Sequence, residues 1–403
     1  MTVTSALAGP VGLPDSARPG AVRPEQEGPA EPPANPVAEV LDVPAVIDRP
    51  FDINEGEAVV VTQFRLLDAE DLPEYDISVA DIEALLEAQK ALKPEGFTIG
   101  QLQVVAEVIS DHYRQRGLIL AQAVVPVQTV SGGIVDIQIF VGKLGRILAE
   151  GNEMYRKELL EKPFRGLIGQ PVSKSKIEAA LLTLTDYSGL SVFGVFQPGL
   201  HVGTADIVLK VQEEKRFDVA FRAEDHGTRE TGRNRFRTVV DWNNILGFAD
   251  RLTISGQQSY NPKNNYFIAV DYERFLANGF KIGGYFNIND FDVGGEFASR
   301  QISARSQIQG VFLEKSIFRS RQRNLSTRFG FERKKSQTVA SSRSINRDRL
   351  SVFRLSVDYD SVDTFSFGRE EGGGGINFAY LEFSKGLPDF FDSMGGEGSA
   401  EAL

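Results

Sequence analysis

The chain has 403 residues, of which 41% are hydrophobic, and a formal net charge of −11. That length accommodates about two to four domains, and the negative charge argues against nucleic acid as a partner. Because the chain has no cysteine, it can form neither disulfides nor cysteine metal sites, and it cannot perform thiol catalysis. No apolar run reaches the ~18 residues of a membrane-spanning helix, whereas membrane-spanning strands give much weaker signals.

Residues 1–54 are rich in Pro, Ala, Gly and Glu, which predicts an extended linker that buries little surface. The first 21 residues lack the basic start and the continuous apolar core of a secretory signal. Either the natural chain begins upstream of Met1 or the protein stays in the cytoplasm, and we expect the first.

Residues 55–142 have the pattern of a compact β-α-α-β-β module. Ser78 and Thr98 stand where helix caps are expected, and Gly117 is expected to end the second helix at a positive φ. Apolar residues at helical spacing predict the buried stripe of that second helix. The predicted strands cover Val59–Leu67, Ile119–Val127 and Ile134–Val141.

Residues 143–214 repeat this pattern in a shorter form. The predicted elements are a strand at Gly145–Glu150, a helix around Met154–Leu160, a helix capped by Ser173, and strands at Val192–Gln197 and Ala205–Val211. Edges of the strands Ile119–Val127 and Ala205–Val211 could receive an extended polypeptide by β-augmentation. Alternatively, both strands are interior and fully paired within their own modules.

Residues 215–390 contain about nine runs in which apolar and polar residues alternate, as in strands with two unlike faces. In a soluble sandwich the polar face would meet water, whereas in an outer-membrane barrel it would line a lumen. The connections Asp290–Arg300 and Ser336–Asn346 are predicted to be long, and the last strand is the least regular. Residues 391–403 form a tail.

The two modules and the sheet carry a family resemblance. The segment Tyr113-Arg114-Gln115-Arg116-Gly117 with Pro126-Val127-Gln128 resembles the first polypeptide-transport-associated (POTRA) domain of two-partner secretion transporters. Gly151-Asn152 and Pro198-Gly199 resemble the second. Thr231-Gly232-Arg233 and the segment Asn244–Asp250 resemble the start of the barrel in that family, although Asp225-His226 replaces its usual Asp-Asn pair.

The resemblance implies an α+β plus all-β fold, with two POTRA modules followed by part of an outer-membrane β-barrel. It implies a protein in the outer membrane with periplasmic POTRA domains. There it would meet lipid and export a large partner exoprotein, an adhesin or cytolysin with a transport-signal domain. The family has sixteen strands and a Val-Arg-Gly-Tyr-like loop that this sequence does not contain, so we expect the natural chain to continue beyond Leu403.

Candidate site residues follow from these patterns. The partner-binding prediction covers strand positions in both modules: Val124, Val125, Val127, Gln128, Ile207 and Leu209. The pore-lining prediction covers charged residues of the polar face: Arg222, Arg235, Arg237, Asp271 and Arg328. No catalytic residue, metal site or cofactor is predicted, because no phosphate loop and no arrangement of nucleophile, base and orienting group is recognisable.

Two other functions fit parts of the pattern. An insertase that assembles other barrels belongs to the same superfamily but usually carries more modules. A soluble β-rich binding protein would present the same alternating strands to water.

Overall fold

The computed structural model describes residues 41–42, 54, 56–260, 263–362, 375–391 and 393. The predicted linker at residues 1–54 and the predicted tail at 391–403 fall almost entirely outside these ranges. Among the described residues, no helix is long and apolar enough to cross a membrane. The described strands form three separate sheets of three, four and nine strands.

The first module (residues 55–142) is a three-stranded sheet covered by two helices. Its elements are β2 (Gln63–Leu67), α1 (Val79–Leu92), α2 (Ile99–Gln115), β3 (Gln122–Val124) and β4 (Ile134–Phe140). The predicted caps are confirmed: Ser78 accepts from the amide of Asp81, and Thr98 forms a reciprocal capping box with Gln101. The predicted stripe of α2 packs into the core of this module.

The second module (residues 143–214) has the same topology. Its elements are β5 (Lys143–Glu150), α3 (Lys157–Glu161), α4 (Lys174–Thr185), β6 (Leu190–Pro198) and β7 (Thr204–Glu214). The strand orders β2-β4-β3 and β5-β7-β6 correspond, with a parallel pair followed by an antiparallel pair in each. In the second module, β1 (Leu41–Asp42) adds in parallel to the outer edge of β6.

Three predicted elements of the modules are shorter than expected. The first strand begins at Gln63 instead of Val59. Residues 118–121 form a turn instead of a strand, with the Ala121 amide donating to the Leu118 carbonyl at 3.1 Å. The helix predicted from Met154 begins only at Lys157, because the amides of residues 153–155 all donate to the Glu214 carboxylate. Ser173 occupies the N-cap of α4 as predicted, but its hydroxyl contacts Ser175 instead of a backbone amide.

Residues 217–386 form the nine-stranded antiparallel sheet, in which each strand pairs with the next along the chain. This confirms the predicted class and strand number. The strands are β8 (Phe217–Glu224), β9 (Asn234–Asn243), β10 (Asp250–Tyr260), β11 (Asn265–Phe275), β12 (Phe280–Asp292), β13 (Ile302–Arg319), β14 (Arg323–Ala340), β15 (Arg343–Val362) and β16 (Ile376–Gly386).

The long connection predicted at Ser336–Asn346 is wrong. Strands β14 and β15 continue to Ala340 and from Arg343, leaving Ser341 and Ser342 at positive φ as a two-residue turn. Most residues of this hairpin are polar, which is typical of a loop, yet they pair as strands with one register shift at Thr338 and Val339. Pairing between the two strands satisfies the backbone N–H and C=O groups of this segment. A strand end that lies outside a membrane needs no apolar face.

The sheet has two unlike faces. Its apolar face exposes large side chains in the register of the pairing, among them Phe221, Ile254, Ile268, Phe329 and Leu381. Its polar face carries the alternate residues and is concave, enclosing a volume of about 1140 Å³. Exposed apolar surface on this scale does not face water in an isolated soluble protein.

Two buried tyrosines offer a matched test of core packing. The hydroxyl of Tyr113 is buried and has no hydrogen-bond partner among the residues that the structure describes, and burial raises its pKa to about 12. The hydroxyl of Tyr155 donates to the Ser188 carbonyl at 2.7 Å. A buried unpaired polar group costs about 1–3 kcal/mol, whereas a net hydrogen bond contributes about 1 kcal/mol.

We therefore expect opposite effects from one chemical change. Tyr113→Phe should stabilise the first module by about 1 kcal/mol, and Tyr155→Phe should destabilise the second by a similar amount. Amide hydrogen exchange of the full chain in detergent measures both modules separately. A loss of protection in Tyr113→Phe would contradict the absence of a partner for its hydroxyl.

Candidate functional site

The structure places all five predicted pore-lining residues on the polar face of the sheet. Arg222 lies opposite Arg237 across β8 and β9, and Asp271 and Arg328 line the concavity. Arg235 lies two residues before Arg237 in β9 and therefore shares its face. However, its guanidinium donates to the Gly232 carbonyl at 3.1 Å and holds the loop before β9. Four of the five thus remain candidates for contact with a passing molecule.

A ladder of opposite charges crosses the polar face at the end nearest the second module. Lys281 lies 3.6 Å from Glu273 and 3.3 Å from Glu314. Arg251 reaches Glu273 at 2.7 Å, and Arg328 reaches Glu314 at 2.5 Å. Each link joins neighbouring strands, so the ladder runs continuously from β10 to β14.

A second group of charges continues across β14, β15 and β16. Glu332 accepts from the Tyr285 hydroxyl at 2.6 Å and lies 3.4 Å from Arg354, which in turn lies 3.5 Å from Glu382. Apart from Arg328, the sequence did not single out the residues of these two groups as candidates. Their alternation was visible, but only the strand register shows which charges become neighbours.

The predicted partner-binding residues of the first module lie at and beyond an edge strand. Val127 is fully exposed at 108% of its reference area, while Val124 and Val125 are half-buried. The Gln128 side chain pairs with the backbone of Asp136 in both directions, at 2.8 and 2.9 Å, and so takes the place of a strand. It is committed to β4, leaving Val127 as the most accessible of the four.

The edge of β3 itself is closed at its centre. The outward amide of Ala123 donates to the Ser110 hydroxyl on α2 at 2.9 Å. An incoming strand would have to break this bond, so the structure does not support simple β-augmentation at Ala123. The exposed segment after β3 is the better candidate for contact.

The edge prediction for Ile207 and Leu209 is wrong. Strand β7 pairs with β5 on one side and β6 on the other, so it has no free edge. Both side chains are 0% exposed, in the core of the second module. Their clean alternation arose from burial between a sheet and a helix. The edge that receives a strand in this module is β6.

The second module is fastened to the sheet by residues 186–189, which we call the joint loop. Arg319 at the end of β13 reaches both carboxylate oxygens of Asp186, at 2.8 and 3.2 Å. The ring of Tyr187 packs on Phe275 at 5.3 Å between centroids. The carbonyl of Gly189 accepts from the Lys215 amide at 2.7 Å. Sequence reasoning missed this loop, because its partners are distant in the chain.

The turn between β9 and β10 docks on the same module. Arg156 donates to the Gly247 carbonyl at 2.7 Å, and Asn244 donates to the Met154 carbonyl at 3.0 Å. The Phe248 ring lies between two guanidinium groups, 4.0 Å from that of Arg274 and 5.3 Å from that of Arg156. The module therefore contacts several turns at one end of the sheet.

Two family models match the chain. Residues 203–374 match the haemolysin secretion/activation protein family ShlB/FhaC/HecB. Residues 62–142 match the ShlB-type POTRA domain. The first match covers most of the described sheet, and the second covers the first module.

The curated relatives are named as transporters. The chain is 24% identical over 302 residues to the heme/hemopexin transporter protein HuxB of Haemophilus influenzae, covering 74% of this chain and 52% of that protein. It is 27% identical over 176 residues to the outer membrane transporter CdiB of Escherichia coli, covering 44% of this chain and 29% of that protein. The chain spans about half the length of the HuxB relatives it matches.

Solved structures share the fold. CdiB from Escherichia coli superimposes with a TM-score of 0.64 at 19% identity, covering 88% of this chain and 63% of that one. CdiB from Acinetobacter baumannii gives a TM-score of 0.53 at 16% identity, covering 86% and 66%. Together with the two family models and the curated CdiB relative, they agree with the predicted location, an outer-membrane transporter with periplasmic POTRA modules. The predicted resemblance to two-partner secretion transporters is therefore confirmed over the two segments that match the ShlB/FhaC/HecB family and the ShlB-type POTRA domain.

Proposed function

We propose that this chain takes part in the export of a large partner exoprotein across the outer membrane. The exoprotein, here called the client, would be an adhesin or cytolysin with a transport-signal domain. The observation that carries this proposal is the direct attachment of a periplasmic module to one end of a polar-faced sheet. A polypeptide held by the modules is delivered at the entrance to the polar face.

The polar face suits an extended chain. Its ladder alternates in sign, so it offers partners to acidic and basic side chains without strong net attraction to either. Since its charges are already paired, they hold a passing polypeptide weakly. No nucleotide-binding loop is recognisable in the sequence, so we infer that folding of the client outside drives passage.

The first contact with the client is proposed at the segment after β3, centred on Val127. This side chain is fully exposed and flanked by the half-buried Val124 and Val125. Gln128 fixes the segment against β4, which lowers the entropy lost when a partner binds. An apolar client segment would gain by covering these valines.

Photocrosslinking in cells tests this contact. A photoreactive amino acid replaces Val127 in the full chain, and a control chain carries it at Leu92, which is 71% exposed on the same module. We expect adducts with a secreted protein from position 127 and far fewer from position 92. Mass spectrometry identifies the captured protein.

Three outcomes would contradict the proposal. Adducts with precursors of other outer-membrane barrels would favour the insertase. Equal yields from positions 127 and 92 would show that capture is non-specific. If position 127 gave no adducts while a client was being secreted, the first module would not contact the client during export. The soluble binding protein remains the weakest alternative, because the apolar face is too extensive for water.

A further inference from the structure

The hairpin of β14 and β15 carries a basic surface beyond the apolar face of the sheet. Residues 333–349 contain six cations, Arg333, Lys334, Lys335, Arg343, Arg347 and Arg349, and one carboxylate, Asp348. This local charge of +5 (6 − 1) stands out in a chain whose net charge is −11. Neither the pore nor the client contact uses it.

Strand register assigns these cations to faces. Lys335 pairs with Gln307 and Arg349, and it is two residues beyond Arg333 and four beyond Phe331. Since alternate residues share a face, these cations continue the apolar face. Arg347 pairs with Gln337 and belongs to the same face. Lys334 and Asp348 have the other parity and lie on the polar face.

The change from apolar to basic is abrupt. The row Val311, Phe331 and Phe353 is apolar across three strands, and the Phe329 and Phe353 rings are 4.4 Å apart. The next row outward contains Arg333, and the following row contains Lys335 and Arg349. Aromatic residues followed by cations are the pattern of a membrane interface.

The height at which the face changes from apolar to basic matches the height of the apolar band of an outer-membrane barrel. β14 starts at Arg323, beside the contacts with the periplasmic second module. Arg333 lies ten residues further along β14, which at a rise of ~3.4 Å per residue and a tilt of ~45° is a height of ~24 Å. An apolar band in such a barrel is ~25 Å tall, so the cations lie where outer-leaflet headgroups begin.

We propose that Lys335 and Arg347 bind the phosphate groups of a phosphorylated glycolipid in the outer leaflet. Lys335 and Arg347 are exposed, and cations of this kind form charge-assisted hydrogen bonds to phosphate. On the same face Arg305 is occupied, lying 2.5 Å from Asp290. An acidic client is the less fitting occupant, because it would pass along the polar face.

Binding of lipid A to the detergent-solubilised full chain tests this site by native mass spectrometry. The probes are bis-phosphorylated lipid A, its dephosphorylated form, and inorganic phosphate as a competitor. The test variant is K335Q/R347Q, and the control K334Q/R343Q removes the same charge from the polar face and the hairpin turn. We expect the test variant to bind about 30-fold more weakly, about 1 kcal/mol for each lost charge.

The control should bind like the wild-type chain. Equal weakening in both variants would overturn the proposal, as would tight binding of dephosphorylated lipid A. Full competition by equimolar inorganic phosphate would show a free-phosphate site instead. The wild-type chain gives a second measurement, since lipid A binding should weaken as salt is raised. The proposal rests on membrane placement alone, so failed crosslinking at Val127 leaves it standing.

Discussion

Replacement of Gly189 by alanine is expected to open the joint between the second module and the sheet. Gly189 has a φ of +72°, and a Cβ there would lie 2.2 Å from the Lys215 carbonyl oxygen and 2.6 Å from the Asn243 side-chain nitrogen. The backbone strain costs about 1–2 kcal/mol, and the collision with a fixed backbone atom adds about 1–3 kcal/mol.

Two other glycines separate these costs. Gly169 has a φ of +77° with nothing within 4 Å of an added Cβ, and Gly166 has open space without a positive φ. Amide exchange of the full chain in detergent should speed up at Lys215 and Asn243 in Gly189→Ala but not in Gly169→Ala or Gly166→Ala. If Gly169→Ala loosened these amides as much, the collision would have no part in the effect.

Replacement of Asp206 by asparagine is expected to destabilise the second module by about 2 kcal/mol, because a buried carboxylate loses charge-assisted hydrogen bonds to Arg146, whose side chain is half-exposed. The Asp206 carboxylate is 1% exposed. It accepts from the Arg146 amide at 2.7 Å and from two guanidinium nitrogens at 2.9 and 2.6 Å. Asparagine would turn an NH₂ group toward those donors or lose the amide bond.

The effect of Asp206 should depend on pH. The guanidinium and the amide of Arg146 lower the pKa of this carboxyl below its ordinary value. A lowered pKa stabilises the fold fully above the unfolded value of about 4, and that stabilisation is lost as the pH falls through the folded pKa. Wild-type protection should therefore exceed that of Asp206→Asn at pH 7 and approach it in acid.

Asp136 provides the matched control on the first module. It binds Arg65 through two bonds of 2.7 and 2.8 Å, but this pair is exposed to solvent. Asp136→Asn should change amide protection far less than Asp206→Asn, because water screens an exposed pair. Protection is measured across the β6 and β7 amides at pH 7 and in acid well below the unfolded value of about 4, and is corrected for intrinsic exchange. A constant difference between wild type and Asp206→Asn would contradict the pH argument.

The sequence by itself determined the elements whose signals are local. The alternation in residues 215–390 predicted a two-faced sheet, because the side-chain period of a strand is a property of the strand alone. The capping box at Thr98 was readable for the same reason, since its partner Gln101 is three residues away. The sequence also predicted which charged residues lie on the polar face, because alternate residues of a strand share a face.

The tertiary structure decided everything that depends on a distant partner. Alternation in Ala205–Val211 did not distinguish an edge strand from an interior one, because both bury one face, and only pairing with β5 and β6 placed Ile207 and Leu209 in the core. Closure of the β3 edge by Ser110 depends on how α2 packs. The charge ladder and the joint loop require register and docking, which arise from the summed packing of many strands instead of any one segment.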